Sequence, residues 1–154
     1  MADWSLRTDG GSRGNPGPAG CGFVLERPDG EIVCRGGRFL GVKTNNEAEY
    51  EALLWGLECA TAFPEARRVT VFADSELLVK QMNRVYRVKH PNLKPLFERA
   101  LKLTPRFEKV KFVHVYREAN EAADALANEA MDLRTTVGDA PDGPDDGGQG
   151  TLFE

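Results

Sequence analysis

The sequence has few cysteines, no long apolar run and no large excess of either charge. Its three cysteines, Cys21, Cys34 and Cys59, form no CxxC pair, which argues against a disulfide framework or a zinc site and for reduced, buried thiols. No stretch approaches the roughly 18 apolar residues of a membrane helix, and residues 1–10 lack the basic and apolar regions of an export signal. We therefore expect a protein of the cytoplasm that makes no contact with a membrane.

The net charge of −4 excludes a global attraction to nucleic acid, but the charge is unevenly distributed. Residues 139–154 carry five acidic side chains and neither Lys nor Arg, so the rest of the chain is close to neutral, at about +1. From Thr136 onwards Gly, Pro and Asp dominate, with little to bury. We therefore predict one folded domain over residues 1–135 and a disordered acidic tail over residues 136–154.

The apolar pattern predicts an α/β domain with the element order β-β-β-α-β-α-α-β-α. A Gly-rich loop over residues 10–18 separates the first two strands, and Thr44, Asn45 and Asn46 are N-cap candidates for a long helix that ends before Pro64. The expected strands span residues 4–9, 21–27, 32–40, 68–73 and 109–115. Three strands in a meander followed by βα units indicate a five-stranded mixed sheet flanked by helices.

Four acidic residues stand where predicted strands stop or helices start: Asp9, Glu49, Asp74 and Asp124. Such points converge on one edge of an α/β sheet, where four like charges cannot share a small site without cations. Oxygen ligands favour a hard divalent ion, Mg²⁺ or Mn²⁺, so the pattern suggests metal-assisted phosphoryl chemistry. Taken singly, each has a simpler explanation: a helix cap for Asp74, a helix-dipole partner for Asp124, a polar helix start for Glu49 and a turn for Asp9.

Four segments together resemble ribonuclease H type 1: TDGGSRGNPGPAG, TNNEAEY, ADS and the late Asn-x-x-Ala-Asp. The resemblance covers roughly residues 4–134, and the Asn-x-x-Ala-Asp ending without a large basic insertion looks like the compact bacterial and archaeal members. It implies the ribonuclease H-like fold and endonucleolytic hydrolysis of the RNA strand of an RNA–DNA hybrid, with 5′-phosphate and 3′-hydroxyl ends. A catalytically silent hybrid-binding module and another nuclease of this fold, such as a transposase or resolvase core, are the alternatives. We expect a monomer.

The same resemblance implies two Mg²⁺ ions, for which Mn²⁺ would substitute. Asp9 would bridge both ions, Glu49 and Asp74 would hold the ion that activates the attacking water, and Asp124 would ligate the ion on the leaving-group side. Two cations roughly 3.5–4 Å apart can stabilise both the attacking and the departing oxygen of an in-line displacement.

The resemblance also implies contacts with the hybrid from the Gly-rich loop and the start of the first long helix. Backbone amides at Gly10, Gly11 and Ser12 would approach the RNA closely, because glycine lacks a Cβ. Asn15 and Thr44 would touch DNA phosphate, and Asn45 and Asn46 would meet base or sugar edges in the minor groove. Helix capping is the alternative for Asn45 and Asn46, and both roles are compatible.

The sequence departs from the family pattern at three places. The family's loop histidine has no clear counterpart, since His114 falls within a predicted strand. Arg117 occupies the shortened loop instead, where it either contacts phosphate or pairs with Glu118 or Glu121. Glu76 follows Asp-Ser where Gln is frequent, which puts that RNA contact in doubt. A short basic connector replaces the large basic handle and either holds the hybrid backbone or is a solvated loop; its members are Arg84, Arg87, Lys89, His90 and Lys94.

The last residues carry a further motif. Gln149, Leu152 and Phe153 resemble the Gln-x-x-Leu-Phe peptide by which bacterial replication and repair proteins dock on the sliding clamp. A disordered linker that ends in a hydrophobic anchor pair suits such docking. A solubilising tail is the alternative.

Overall fold

The computed structural model describes residues 2–141 and has the predicted order of elements, followed by one further short strand. Two single 3₁₀ turns, at Thr104–Arg106 and Arg117–Asn120, precede β5 and α4. The elements are β1 (Trp4–Ser12), β2 (Gly17–Glu26), β3 (Ile32–Lys43), α1 (Asn45–Ala60), β4 (Arg68–Ala73), α2 (Glu76–Met82), α3 (Lys94–Leu103), β5 (Lys109–His114), α4 (Glu121–Leu133) and β6 (Val137–Gly138).

The strands form one mixed sheet in the order β5-β4-β1-β2-β3-β6. β1, β2, β3 and β6 pair antiparallel, whereas β4 runs parallel to β1 and β5 runs parallel to β4. The mixed α/β architecture is therefore confirmed, with six strands in place of five. Because β1 and β4 are parallel neighbours, the carboxyl end of β4 lies beside β1 at Thr8.

The helices α1 and α4 pack on opposite faces of the sheet, and glycine permits both to approach closely. Leu6 of β1 occupies the space that a Cβ of Gly56 in α1 would need, and a Cβ on Gly22 of β2 would overlap the carbonyl of Ala123 in α4. Since Gly22 is paired with Asp9, the start of α4 lies next to Asp9.

The Gly-rich loop is shorter than predicted. The ladder between β1 and β2 continues through Gly10 and Gly11 to Ser12, which is paired with Ala19. The loop is therefore confined to residues 13–16, because cross-strand pairing outweighs the low strand propensity of glycine.

The folded part extends beyond the predicted boundary at residue 135. β6 pairs with β3, the backbone N–H of Arg35 donates to the Asp139 carboxylate at 2.9 Å, and the indole N–H of Trp55 donates to the Pro141 carbonyl at 2.8 Å. These are backbone and single side-chain contacts, which composition does not reveal. Residues 142–154, with the candidate clamp peptide Gln149, Leu152 and Phe153, lie outside the described residues.

No helix within residues 2–141 combines the length and the apolar character needed to cross a membrane.

Candidate active site

Asp9 and Asp74 lie at the same level, where the parallel pairing between β1 and β4 ends. Thr8 of β1 is paired with Ala73 of β4. Asp9 and Asp74 follow these two residues and therefore lie at the same edge of the β1–β4 pair. Ser75 then caps α2, its hydroxyl accepting from the Leu78 N–H at 3.1 Å. Capping is therefore the work of Ser75 and leaves the Asp74 side chain at the sheet edge.

Glu49 reaches this edge because α1 begins close to β1. A Cβ on Gly10 would overlap the backbone of Ala48 and lie 2.6 Å from the backbone nitrogen of Glu49. A capping box fixes the start of the helix: the Thr44 hydroxyl accepts from the Glu47 N–H at 3.1 Å, and the Glu47 carboxylate accepts from the Thr44 N–H at 2.8 Å. The first turn of α1 is thus rigidly placed over the end of β1.

Asp9, Glu49 and Asp74 form a tight group, with one carboxylate oxygen from each lying within 4.8 Å of the others. Asp9 is 7% exposed and Glu49 is 9% exposed. Asp124 is not part of this group of three, but it lines the same cleft and interacts with the Asp9 carboxyl. The structure therefore brings the four predicted carboxylates together in one cleft, where the Asp9 carboxyl interacts with both Asp74 and Asp124.

The group fits a cation. Within residues 2–141 neither Glu49 Oε1 nor Asp74 Oδ1, both buried, has a hydrogen-bond partner. Buried carboxylate oxygens without donors are costly unless something positive meets them, and an all-oxygen set suits a hard divalent ion.

Electrostatics make the same point. Burial, with the neighbouring Asp124 and Asp74, raises the pKa of Asp9 to about 9. Burial and the charges of Asp9 and Asp74 also raise the pKa of Glu49 well above its ordinary value, against the opposing hydrogen bond from Gly10. Without a cation the site therefore favours protonated carboxyls.

An open cleft of about 420 Å³ surrounds the carboxylates. Five of the predicted substrate contacts line it: Gly10, Gly11, Ser12, Asn45 and Arg117. The other three lie beside it. Thr44 caps α1, Asn46 is exposed on the first turn of that helix, and the Asn15 side-chain oxygen accepts from the Asn45 N–H at 3.0 Å.

Helix capping was one of the two roles predicted for Asn45, but the residue that caps α1 is Thr44. The Asn45 side-chain oxygen accepts from the Ser12 N–H at 2.8 Å and from the Ser12 hydroxyl at 3.2 Å. Asn45 thus ties the end of β1 to the start of α1 at the rim of the cleft.

Four cleft residues were not predicted: Arg13, Ala127, Asn128 and Met131. Arg13 pairs with Asp132 at 2.8 Å and donates to the Asn128 side-chain oxygen at 3.3 Å, so it joins the Gly-rich loop to α4. Asn128 lies one helical turn after Asp124, and this spacing was a usable signal. Nothing in the sequence around Arg13 marked its long-range pairing.

Arg117 is exposed in the 3₁₀ turn before α4 and lines the cleft. Among residues 2–141 no carboxylate forms an ion pair with it, so neither Glu118 nor Glu121 is its partner. His114 is exposed on β5, the edge strand, with its ring 5.7 Å from that of Tyr116. Glu76, which follows Ser75, pairs with Lys80 at 3.0 Å.

Comparison with known proteins agrees with this geometry. Residues 7–130 match the model of the family described as "Reverse transcriptase-like". Ribonuclease HI of Halobacterium salinarum is 46% identical over 124 residues, which cover 80% of this chain and 62% of that protein. Ribonuclease H of Syntrophus aciditrophicus is 35% identical over 152 residues, covering 86% of this chain and 84% of its own.

Among solved structures, LC11-RNase H1 in complex with an RNA/DNA hybrid superposes with a TM-score of 0.82 at 42% identity, covering 86% of this chain and 99% of that one. The chain spans less than two thirds of the Halobacterium protein and 35% of longer mycobacterial relatives. Fold, site and relatives agree: the chain belongs to the ribonuclease H type 1 family.

Proposed function

We propose that the protein is an endonuclease that hydrolyses the RNA strand of RNA–DNA hybrids and leaves 5′-phosphate and 3′-hydroxyl ends. The observation that carries this proposal is the group of Asp9, Glu49 and Asp74 within 4.8 Å, with Asp124 beside Asp9, in an open cleft. The likeness to LC11-RNase H1, which is seen with an RNA/DNA hybrid, supports the choice of substrate.

Two Mg²⁺ ions, replaceable by Mn²⁺, are the cofactors that we propose. When bound, they would neutralise charge on the attacking and leaving oxygens of an in-line displacement. The four carboxylates would hold them, and the contacts of Asp9 with both Asp74 and Asp124 support a shared role for Asp9. With little covalent chemistry left to the protein, its side chains act by position and charge.

The rim of the cleft would select the hybrid. Backbone amides at Gly10, Gly11 and Ser12 would meet the RNA strand, where sensing the 2′-hydroxyl distinguishes RNA from DNA. Asn15 and Thr44 would contact DNA phosphate, and Asn45 and Asn46 the minor groove. Arg117, which has no ion-pair partner among residues 2–141, would meet a phosphate.

The basic connector would add a second contact with the hybrid backbone. Arg84, Arg87, Lys89 and His90 are exposed, and Arg84, Arg87 and Lys94 border an open depression of about 620 Å³ with Tyr86 and Phe97. Contacts of this kind give affinity that falls with salt and carries no sequence preference. We also propose a monomer that works in the cytoplasm, in keeping with three unbonded cysteine thiols.

Replacing Asn45 tests the rim. Asn45→Ala removes the acceptor of the Ser12 N–H but leaves the Thr44 cap, so we expect an intact fold. Loss of one hydrogen bond and its substrate contact should lower kcat/KM on the hybrid about tenfold. Asn83→Ala, which removes an exposed hydrogen bond to the Phe112 carbonyl on β5, is the matched control. Equal kinetics for the two variants would leave Asn45 a structural role only.

The tail supplies a proposed partner, the sliding clamp. The basis is the Gln-x-x-Leu-Phe pattern after a Gly, Pro and Asp linker. Truncation after Pro141, whose carbonyl accepts from the Trp55 indole, should leave hydrolysis of short hybrids unchanged and abolish clamp binding in calorimetry. Leu152→Ala with Phe153→Ala should do the same, whereas Asp145→Ala with Asp146→Ala should still bind. Binding by the truncated protein would remove the docking role.

Strand-specific labelling tests the proposed function. With a hybrid labelled on one strand at a time, Mg²⁺ should produce fragments of the RNA strand alone. Those fragments should be ligatable through 5′-phosphate and extendable from 3′-hydroxyl ends. Tight hybrid binding without cleavage would identify a silent binding module instead.

A further inference from the structure

Asn120 stands at the N-cap of α4 but does not cap the helix. Asparagine is among the best N-cap residues because its side-chain oxygen accepts from the first free N–H groups of the helix. Here that oxygen is buried and has no partner among residues 2–141. Asn120 is 0% exposed, so its side chain is directed into the protein and away from the helix end.

The amide nitrogen of Asn120 joins two strands. It donates to the Thr8 carbonyl at 2.8 Å and to the Phe72 carbonyl at 3.2 Å. Thr8 immediately precedes Asp9, and Phe72 lies two residues before Asp74. Because the NH2 group is the only donor of a side-chain amide, these two contacts fix which end of the amide faces the sheet.

Asn120 also begins the helix that carries Asp124, the fourth carboxylate. Asn120 is one helical turn before Asp124, and the turn that precedes it is held by Arg7, which donates to the Ala119 carbonyl at 3.3 Å. One buried amide therefore connects the strand of Asp9, the strand of Asp74 and the helix of Asp124.

We propose that Asn120 is a positioning residue that sets the spacing of the carboxylates and thereby their affinity for divalent cations. The proposal rests on the proposed function in taking those carboxylates as cation ligands. Asp and Ser are also good N-caps, but Asp has no N–H and Ser has one donor for two carbonyls. Either residue would serve as a helix cap, but neither can donate to both the Thr8 and the Phe72 carbonyl.

Calorimetric titration with Mg²⁺ alone tests the proposal in the whole protein. Asn120→Ser should raise the dissociation constant about tenfold or more, as loss of a group that orients metal ligands does, and Asn120→Asp should do likewise. On the hybrid, kcat at a fixed low Mg²⁺ concentration should fall while KM stays within about twofold, because the rim residues are untouched.

Thr70→Val is the matched control. The Thr70 hydroxyl donates to the Asp3 carboxylate at 2.8 Å, a tie between β4 and the residue before β1, away from the carboxylates. It should lower Tm and leave the Mg²⁺ dissociation constant unchanged. If Asn120→Ser also lowers Tm alone, the proposal is overturned. If the wild-type protein binds no Mg²⁺, the proposed function itself fails.

A measurement on the wild-type protein covers the case in which the variants do not fold. By linkage, if the Asn120 contacts favour cation binding, bound cation favours the Asn120 contacts. Saturating Mg²⁺ should therefore slow solvent exchange of the Asn120 side-chain amide protons in NMR spectra. An exchange rate that Mg²⁺ leaves unchanged would overturn the proposal.

Discussion

Asp9→Asn is expected to lower turnover on an RNA–DNA hybrid about a thousandfold while making the cation-free protein more stable. The substitution keeps the size of the side chain and removes the carboxylate that contacts both Asp74 and Asp124. Cations contribute several kcal/mol of transition-state charge stabilisation, and about 4 kcal/mol corresponds to a factor of about a thousand. Steady-state kinetics and thermal unfolding in a chelator measure the two effects.

Asp29→Asn makes the same change of charge in the exposed turn between β2 and β3 and should alter neither quantity appreciably. Turnover of Asp9→Asn within tenfold of the wild type would contradict the assignment of Asp9. A fall in both Tm and turnover would point instead to a structural role for its carboxylate.

The free energy of unfolding of the cation-free protein is expected to fall as the pH rises from about 4 to about 9. Burial raises the pKa of Asp9 to about 9 and that of Glu49 well above its ordinary value. Between the ordinary and the raised pKa values the folded protein holds protons on Asp9 and Glu49 that the unfolded chain has released. The stabilisation from these protons is complete below the pKa values of the two groups in the unfolded chain, and it is lost as the pH rises through their pKa values in the folded protein. Divalent cations should replace the protons and restore stability at the alkaline end.

Thermal unfolding at pH 5 and pH 8, in a chelator and in Mg²⁺, measures this effect. We expect Mg²⁺ to raise Tm of the wild type more at pH 8 than at pH 5. Glu49→Gln cannot ionise at that position, so its stability relative to the wild type should increase with pH in the chelator. A difference between the two proteins that is the same at both pH values would show that Glu49 is not destabilised by its charge.

Much of the fold followed from local pattern. The alternation of Trp4, Leu6 and Thr8 predicted β1, and the polar run from Thr44 predicted the start of α1, because these signals depend on neighbouring residues alone. The convergence of the four carboxylates was also predictable, since the ends of parallel strands meet at one edge of the sheet.

What the sequence did not reveal depends on contacts between distant segments. The ladder that carries β1 through Gly10 to Ser12 needs the partner strand β2, β6 needs β3, and the position of Pro141 needs the indole of Trp55. Asparagine is a common N-cap residue, and residue type alone does not say which way the side chain of Asn120 turns. Its role emerges only when the Thr8 and Phe72 carbonyls lie below it.

We propose that the four carboxylates make a cation-dependent site that cuts RNA only when it is paired with DNA. Cleavage of one sequence, prepared as labelled RNA–DNA hybrid, double-stranded RNA and double-stranded DNA, tests it most directly, each with Mg²⁺ and with chelator. We expect cleavage of the hybrid in Mg²⁺ and none in the other five reactions. Cleavage of the hybrid in chelator, or equal cleavage of all three duplexes in Mg²⁺, would contradict it.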